Sequence, residues 1–437
     1  MPVILAELSE LIRSRAMSPL EHVRQTLDAL SRDPFNAVVA TNAEAALAAA
    51  RELTEDLAHG AWRGPLHGVA IGVKDLIDVQ GLPTRCGSNV LAEAGPADVD
   101  SAVVAQLRAA GAVVVAKLHT HEFAYGPTGD VAAQGPCHNP HDPSRITGGS
   151  SSGSAAAVAA GYVPLALGTD TGCSVRVPAA LCGVVGLKPA FGALPTAGVF
   201  PLSESLDHVG LITADARSAA TVWDLLAPGT PADARDSAQD LAGLVVGLPT
   251  DGHWRPIDPE IATSVAATAS TLESLGARLV EVTTPDVAQL VRDYSTIVSA
   301  EAHTTHAHWL ATRPADYQEI TADRLKHAGR VTVGEYIGAR RSWKRVDAAL
   351  RARLVGIDVL LVPTAPLRAT PIGETHIDDV AVRPALLSMC QPFNMLGVPA
   401  VSIPGPVSDG GLPVGVQLVG ANVTERRLLA IAAALGA

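Results

Sequence analysis

The chain has 437 residues, 48% hydrophobic but only 3% aromatic, and its 32 basic against 44 acidic residues leave a net charge of −12. A modest acidic balance without a basic stripe argues against nucleic acid as a direct partner, and no uninterrupted apolar run reaches the ~18 residues that suggest a membrane span. Five scattered cysteines (Cys86, Cys137, Cys173, Cys182, Cys390) form no CxxC pair, so neither a disulfide scaffold nor a zinc knuckle is expected. A reduced, cytoplasmic setting is.

Ser18-Pro19-Leu20-Glu21 combines a capping-box pattern with proline at the first helical position, and Leu20, Val23, Leu27 and Leu30 follow at helical spacing. Asn42–Ala58 reads as an Ala-rich helix, so residues 1–60 are expected to pack as helices on the core. Val69–Val73 is a buried strand after a turn, Asp100–Ala110 a helix ended by Gly111, and Ala112–Ala116 another apolar strand. The alternation predicts an α/β fold, a mixed central β-sheet sandwiched between helices in one large domain, 1–437.

Residues 128–154 are rich in Gly, Pro, Asn, Asp and Ser and read as a long ordered loop. Loops of that length inside a compact domain are usually functional. A helix over Ala155–Ala160 and a strand over Val163–Leu167 follow, and Pro178 begins another small-residue helix or turn. Beyond residue 215 the pattern gives strands at Leu244–Leu248 and Leu279–Val282 around a helix at Ile261–Leu275. Helix dominates 286–346, a candidate cap lining a substrate pocket. Strands at Val359–Val362, Val398–Ile403 and Leu412–Val419 and a closing helix at Glu425–Leu435 complete the chain.

Three features carry chemistry. Lys74 ends the first strand, where burial would depress its pKa and let a neutral amine act as a base. The plainer reading is a lysine that pairs with Asp75 or Asp78. Gly148-Gly149-Ser150-Ser151-Ser152-Gly153-Ser154 leads into a helix, whose free N–H groups and serines suit either proton relay or anion binding. Gly168-Thr169-Asp170-Thr171-Gly172-Cys173-Ser174 runs from strand to tight turn and presents Ser174 beside converging N–H groups. No Gly-x-Ser-x-Gly elbow surrounds Ser174. A Ser-His-Asp triad would have to draw on His119, His121, His138 or His208, and nothing singles one out.

Together these segments resemble the amidase signature family. So do Gly81-Leu82-Pro83-Thr84, Lys117–Phe123, Asn139-Pro140, Cys182–Pro189, Pro392-Phe393-Asn394, Gly397-Val398-Pro399-Ala400 and Leu412–Gln417, which spread the likeness over nearly the whole chain. The resemblance implies a Ser–Ser–Lys triad: Ser174 as nucleophile, Ser150 as bridge after a cis Gly149–Ser150 bond, Lys74 as base. It also implies an oxyanion hole from the N–H groups of Thr171, Gly172, Cys173 and Ser174, and no metal or cofactor. Cys173 departs from the family's usual glycine, and its Cβ would narrow the pocket or hinder a left-handed backbone. Cys173 as the nucleophile is the weaker alternative.

Tyr125, Gly149 and Arg176 are candidate substrate contacts, although an ion pair of Arg176 with Asp170 is the stronger expectation. His303, His306 and His308 cluster in sequence, but 308 is offset from the helical face that 303 and 306 share. The expected partner is a small-molecule amide, with neither nucleic acid nor membrane involved, and a homodimer is compatible. The implied activity is hydrolysis of a small amide, with carbamates and anilides within reach of the same chemistry. The alternative is the glutaminase-type subunit of a glutamine-dependent tRNA amidotransferase. Lys117-Leu118-His119-Thr120-His121-Glu122 departs from the Asn-Met-Asp-Glu form usual in such subunits.

Overall fold

A computed structural model of the chain describes residues 2–227, 241–408 and 410–437. Among the described residues eleven strands form one mixed sheet. From edge to edge they are Val38–Thr41, Val113–Leu118, Ala70–Lys74, Leu165–Asp170, His208–Thr213, Val185–Lys188, Ala400–Pro404, Gly415–Gly420, Val359–Pro363, Val245–Pro249 and Arg278–Val282. The two neighbours of Ala70–Lys74 run parallel to it, whereas the central strands from 165 to 420 pair antiparallel. The fold is the expected single α/β domain with a mixed sheet between helices.

Alternation sorts the strand residues between two faces. Ile71, Val73, Leu165, Leu167, Val209 and Leu211 join one buried cluster, with helices Leu5–Arg13, Ala102–Ala109, Ala216–Leu226 and Glu425–Ala434 over it. Ala70, Val113, Val115, Ala166 and Ile212 face the other way, under helices Pro19–Leu30, Ala43–Ala58 and Ser152–Ala159. The last of these is built almost wholly of Ala, Ser and Gly and is nearly fully buried, because only small side chains let a helix lie that close to a sheet.

Several boundaries differ from the sequence reading. Val38–Thr41 is a sheet-edge strand inside the segment read as N-terminal helices. The 128–154 loop holds a short antiparallel pair, His138–Asn139 with Asp142–Ile146, and its last two serines already belong to a helix from Ser152. The helix expected to begin at Pro178 begins at Arg176. Strands Val185–Lys188 and His208–Thr213, unassigned from sequence, are short central strands buried on both faces, which carry no alternation to detect. Ser18 caps its helix by accepting from the Glu21 N–H at 3.1 Å, half of the capping box. Helices Val287–Thr312, Glu319–Ala328 and Val333–Arg353 fill the 286–346 region and share a buried cluster with Phe123 and Tyr125.

Candidate active site

Lys74 and Asp170 stand at the carboxyl ends of two adjacent parallel strands, the place where open α/β sheets commonly bind ligands. Alternation puts Lys74 on the same face as Ala70, the face covered by the Ser152–Ala159 helix. Its side chain is fully buried. Nζ donates to Ser150 Oγ at 2.7 Å and to Thr169 Oγ1 at 2.8 Å. Burial drives the ammonium down to about 7, against the opposing pull of Asp170 and Asp207. The plainer reading of Lys74 fails: Asp75 pairs with buried Lys117 at 3.0 Å, and Asp78 accepts from Thr84 Oγ1 at 2.7 Å.

The Gly149–Ser150 peptide bond is cis. Its surroundings hold it closely. Gly149 N–H donates to Pro127 O at 2.7 Å, and a Cβ at 149 would lie 2.7 Å from the Gly129 nitrogen. His121 N–H donates to Ser150 O at 3.1 Å. Ser151 Oγ is 3.2 Å from both the carbonyl and the nitrogen of Thr169, and Ser154 Oγ donates to Leu167 O at 2.9 Å, so the helix start is stitched to the strand that leads to Ser174. Ser151 N–H donates to Ser174 O at 3.1 Å and ties the two serine segments together. Ser174 is itself 5% exposed, against 0% for Lys74 and Ser150.

The turn from 171 to 174 is fixed from below. Asp170 accepts from Val175 N–H at 3.0 Å, from Arg176 Nε at 3.0 Å and Nη2 at 2.8 Å, and from Asn394 Nδ2 at 2.8 Å. Burial alone would raise this carboxyl, but the Arg176 guanidinium outweighs it and holds Asp170 well below the usual range. Arg176 is fully buried; Nη1 donates to Gln417 Oε1 and Nη2 to Asn394 Oδ1, both at 2.6 Å. Its donors are committed to the protein, so the substrate-contact reading of Arg176 gives way to the ion pair. Gly149 likewise spends its N–H on Pro127. Among the described residues, the N–H groups of Thr171, Gly172, Cys173 and Ser174 meet no protein acceptor.

Cys173 sits in this turn without a left-handed backbone, so its Cβ brings no strain of that kind. The side chain packs into an apolar cluster with Val177, Leu181 and Leu386, and burial pushes the thiol well above its ordinary value. A protonated, fully buried thiol is a poor nucleophile.

The histidines are engaged elsewhere. His119 bonds Ser152 Oγ at 2.8 Å and Gly135 O at 2.9 Å, and burial lowers it to about 4. His138 bonds Pro143 O at 2.7 Å, and His208 bonds Leu206 O at 2.7 Å. His121 Nδ1 accepts from Gly129 N–H at 3.3 Å, and none of the four bonds Ser174. His306 lies against Phe123, Phe200 and Trp309 and bonds the Tyr317 hydroxyl at 2.9 Å, while His303 bonds Leu325 O at 2.9 Å.

Sequence reasoning assigned no role to four residues that shape this centre. Thr169 is the second partner of Lys74. Asp207 accepts from Thr171 Oγ1 at 2.5 Å and from the Leu202 and Ser203 N–H groups, and burial lifts it to about 6 despite those bonds. Tyr294 comes from the 286–346 region, and a Cβ on Gly172 would overlap its hydroxyl. Asn394 was visible only as part of a motif. Thr169 stands inside the strand-and-turn motif, where nothing distinguishes it as a partner of Lys74, and Asp207 and Tyr294 reach the site from distant segments that no local pattern marks.

A buried lysine bonded to Ser150, on a segment tied through the Ser151 N–H to the turn of a second serine with open N–H groups, is an arrangement able to support serine-based hydrolysis without a histidine. The family model described as Amidase matches residues 21–429. AtzE, a 1-carboxybiuret hydrolase subunit of Pseudomonas sp. (strain ADP), is 36% identical over 408 residues, 90% of this chain and 88% of that protein. A glutamyl-tRNA(Gln) amidotransferase subunit of Chloroflexus aurantiacus (strain ATCC 29366 / DSM 635 / J-10-fl) is 36% identical over 423 residues, 89% of this chain and 86% of its own length. A crystal structure of an amidase superposes with a TM-score of 0.91 at 34% identity, covering 99% of both chains. The peptide amidase PAM, solved in complex with the competitive inhibitor chymostatin, gives 0.86 at 28% identity, with 99% of this chain and 96% of that one covered. The chain therefore belongs to the amidase signature family and is an amide-hydrolysing enzyme. Among the described residues no helix is long and apolar enough to cross a membrane.

Proposed function

We propose that the chain hydrolyses a small-molecule amide through an acyl-enzyme on Ser174, with Ser150 as proton bridge and Lys74 as base. The observation that carries this reading is the 2.7 Å bond from Lys74 Nζ to Ser150 Oγ in a water-excluded site where burial brings the amine to about 7. A general base works best when its pKa lies near the working pH.

As Ser174 Oγ attacks the carbonyl carbon, its proton passes to Ser150 Oγ, whose own proton passes to Lys74 Nζ. The N–H groups of residues 171–174 receive the oxyanion; one such donor typically contributes about 10²–10³ in rate. Collapse of the tetrahedral intermediate expels the amine, which takes a proton back along the same relay. Water, deprotonated in the same way, then releases the acid. Tyr125 and Tyr294 border the substrate, the latter bringing the 286–346 helices to the site as a cap.

A second reading, an amidotransferase subunit that passes ammonia to a partner, draws support from the 36% identity to the Chloroflexus protein. Purified chain alone, without ATP or any added protein, is to be assayed on primary amides, anilides and carbamates, with hydroxylamine to intercept an acyl-enzyme. Hydroxamate formation that Ser174→Ala abolishes supports the stand-alone hydrolase. Ammonia release from glutamine only when a partner is supplied would transfer the reading to the amidotransferase class.

A further inference from the structure

Guanidinium groups removed from water normally meet a carboxylate, because the desolvation cost is otherwise uncompensated. Two half-buried arginines beside this site do not. Arg324, on the Glu319–Ala328 helix, donates from Nη1 to the Tyr125 carbonyl at 3.2 Å. Arg383, on the Val382–Ser388 helix, lies over the Tyr125 ring with its guanidinium carbon 5.6 Å from the centroid. Its Nε is buried and without a hydrogen-bond partner. Among the described residues neither arginine forms an ion pair. Asp130 is the carboxylate whose charge reaches Arg324, and its Oδ2 accepts from Gly373 N–H at 3.1 Å. Burial and the neighbouring Arg383 charge together lower Arg324 to about 10. Two like charges sharing one tyrosine are repulsive until an anion joins them.

Their location ties them to the chemistry. Tyr125 runs directly into residues 126–129, which pack on the Gly149–Ser150 bond. Leu387, one turn beyond Arg383 on the same helix, would lie 3.1 Å from a Cβ on Gly172, and Tyr294 packs on that glycine as well. Arg383 and Arg324 thus stand at Tyr125 between the Ser150 segment and the Ser174 turn.

We propose that Arg383 and Arg324 together bind a carboxylate of the substrate, so that the amides this enzyme takes are anionic, with the carboxylate a few bonds from the scissile carbonyl. Monoamides of short dicarboxylic acids have this form. Two guanidiniums grip a carboxylate through paired, charge-assisted hydrogen bonds and fix the orientation of the amide end. A local cationic site is also what an enzyme with a net charge of −12 needs to attract an anion. The inference rests on Ser174 as the reacting centre.

Two measurements test it. The Ser174→Ala protein is titrated calorimetrically with malonate and succinate, and with the neutral malonamide and succinamide. Wild type, Arg383→Met, Arg383→Lys and Arg324→Met are then assayed for ammonia release from succinamate and succinamide, with thermal unfolding as the check on folding. Dicarboxylates bind, diamides bind more weakly, and Arg383→Met weakens dicarboxylate binding on the order of 10- to 100-fold, the worth of charged hydrogen bonds. The ratio of kcat/KM for succinamate over succinamide falls by the same order, through KM, and Arg383→Lys recovers part of it. Absence of dicarboxylate binding, or a ratio that Arg383→Met leaves unmoved, overturns the proposal. Full activity of Ser174→Ala would instead remove the nucleophile assignment while leaving the binding result intact.

Discussion

Replacing Lys74 by methionine should abolish activity and, at neutral pH, make the protein more stable. The native amine titrates near 7, while the unfolded chain holds its proton up to 10.5. Between those values the unfolded state binds more protons than the native state, so stability rises with pH, by about 1.4 kcal/mol per unit. Over the whole window Lys74 accounts for about 5 kcal/mol, a cost fully present at pH 7 and below and removed above 10.5. Methionine has nearly the same volume and no charge to desolvate, but it forfeits the bonds to Ser150 and Thr169, about 1 kcal/mol each. The variant is therefore expected to be more stable than wild type by roughly 3 kcal/mol at pH 7, and less stable by roughly 2 kcal/mol above pH 10.5, with the curves crossing near pH ~9. Urea denaturation of both proteins at unit steps from pH 7 to 10 measures this. Lys188, also fully buried and lowered to about 7, is present in both proteins and cancels in the difference. The same titration sets the acid limb of kcat/KM, which should fall tenfold per unit below pH 7. Parallel stability curves, together with a flat rate profile from pH 5 to 9, would refute the buried-base argument.

Ser174→Ala should lower kcat by more than about three decades with the fold unchanged, read by steady-state assay and circular dichroism. Arg176→Met leaves Asp170 charged and buried without its partner; a loss of about 3–5 kcal/mol in urea midpoint experiments is expected, and a loss under 1 kcal/mol would mean the ion pair is not what fixes the turn. Gly172→Ala sets a methyl against the Tyr294 hydroxyl and Leu387, so kcat should fall at least tenfold, and adding Tyr294→Phe, which removes the closest atom, should restore part of it.

The sequence determined the local parts. Alternating and apolar runs located the strands that carry Lys74 and lead to Ser174, and small residues after Ser150 announced a helix lying close on a sheet, because these signals depend only on neighbours along the chain. The motif spacing reached further, to Asn394 and Gln417, but left them without a task. Tertiary structure decided what long-range packing alone can decide. It gave Asp75 to Lys117 and left Lys74 with Ser150 and Thr169. It consumed every donor group that made Arg176 look like a substrate ligand, and it brought Tyr294 to the Ser174 turn and Arg324 and Arg383 to one tyrosine, from three separate helices. Charge pairing and desolvation depend on which segments meet in space, and a linear pattern holds no record of that meeting.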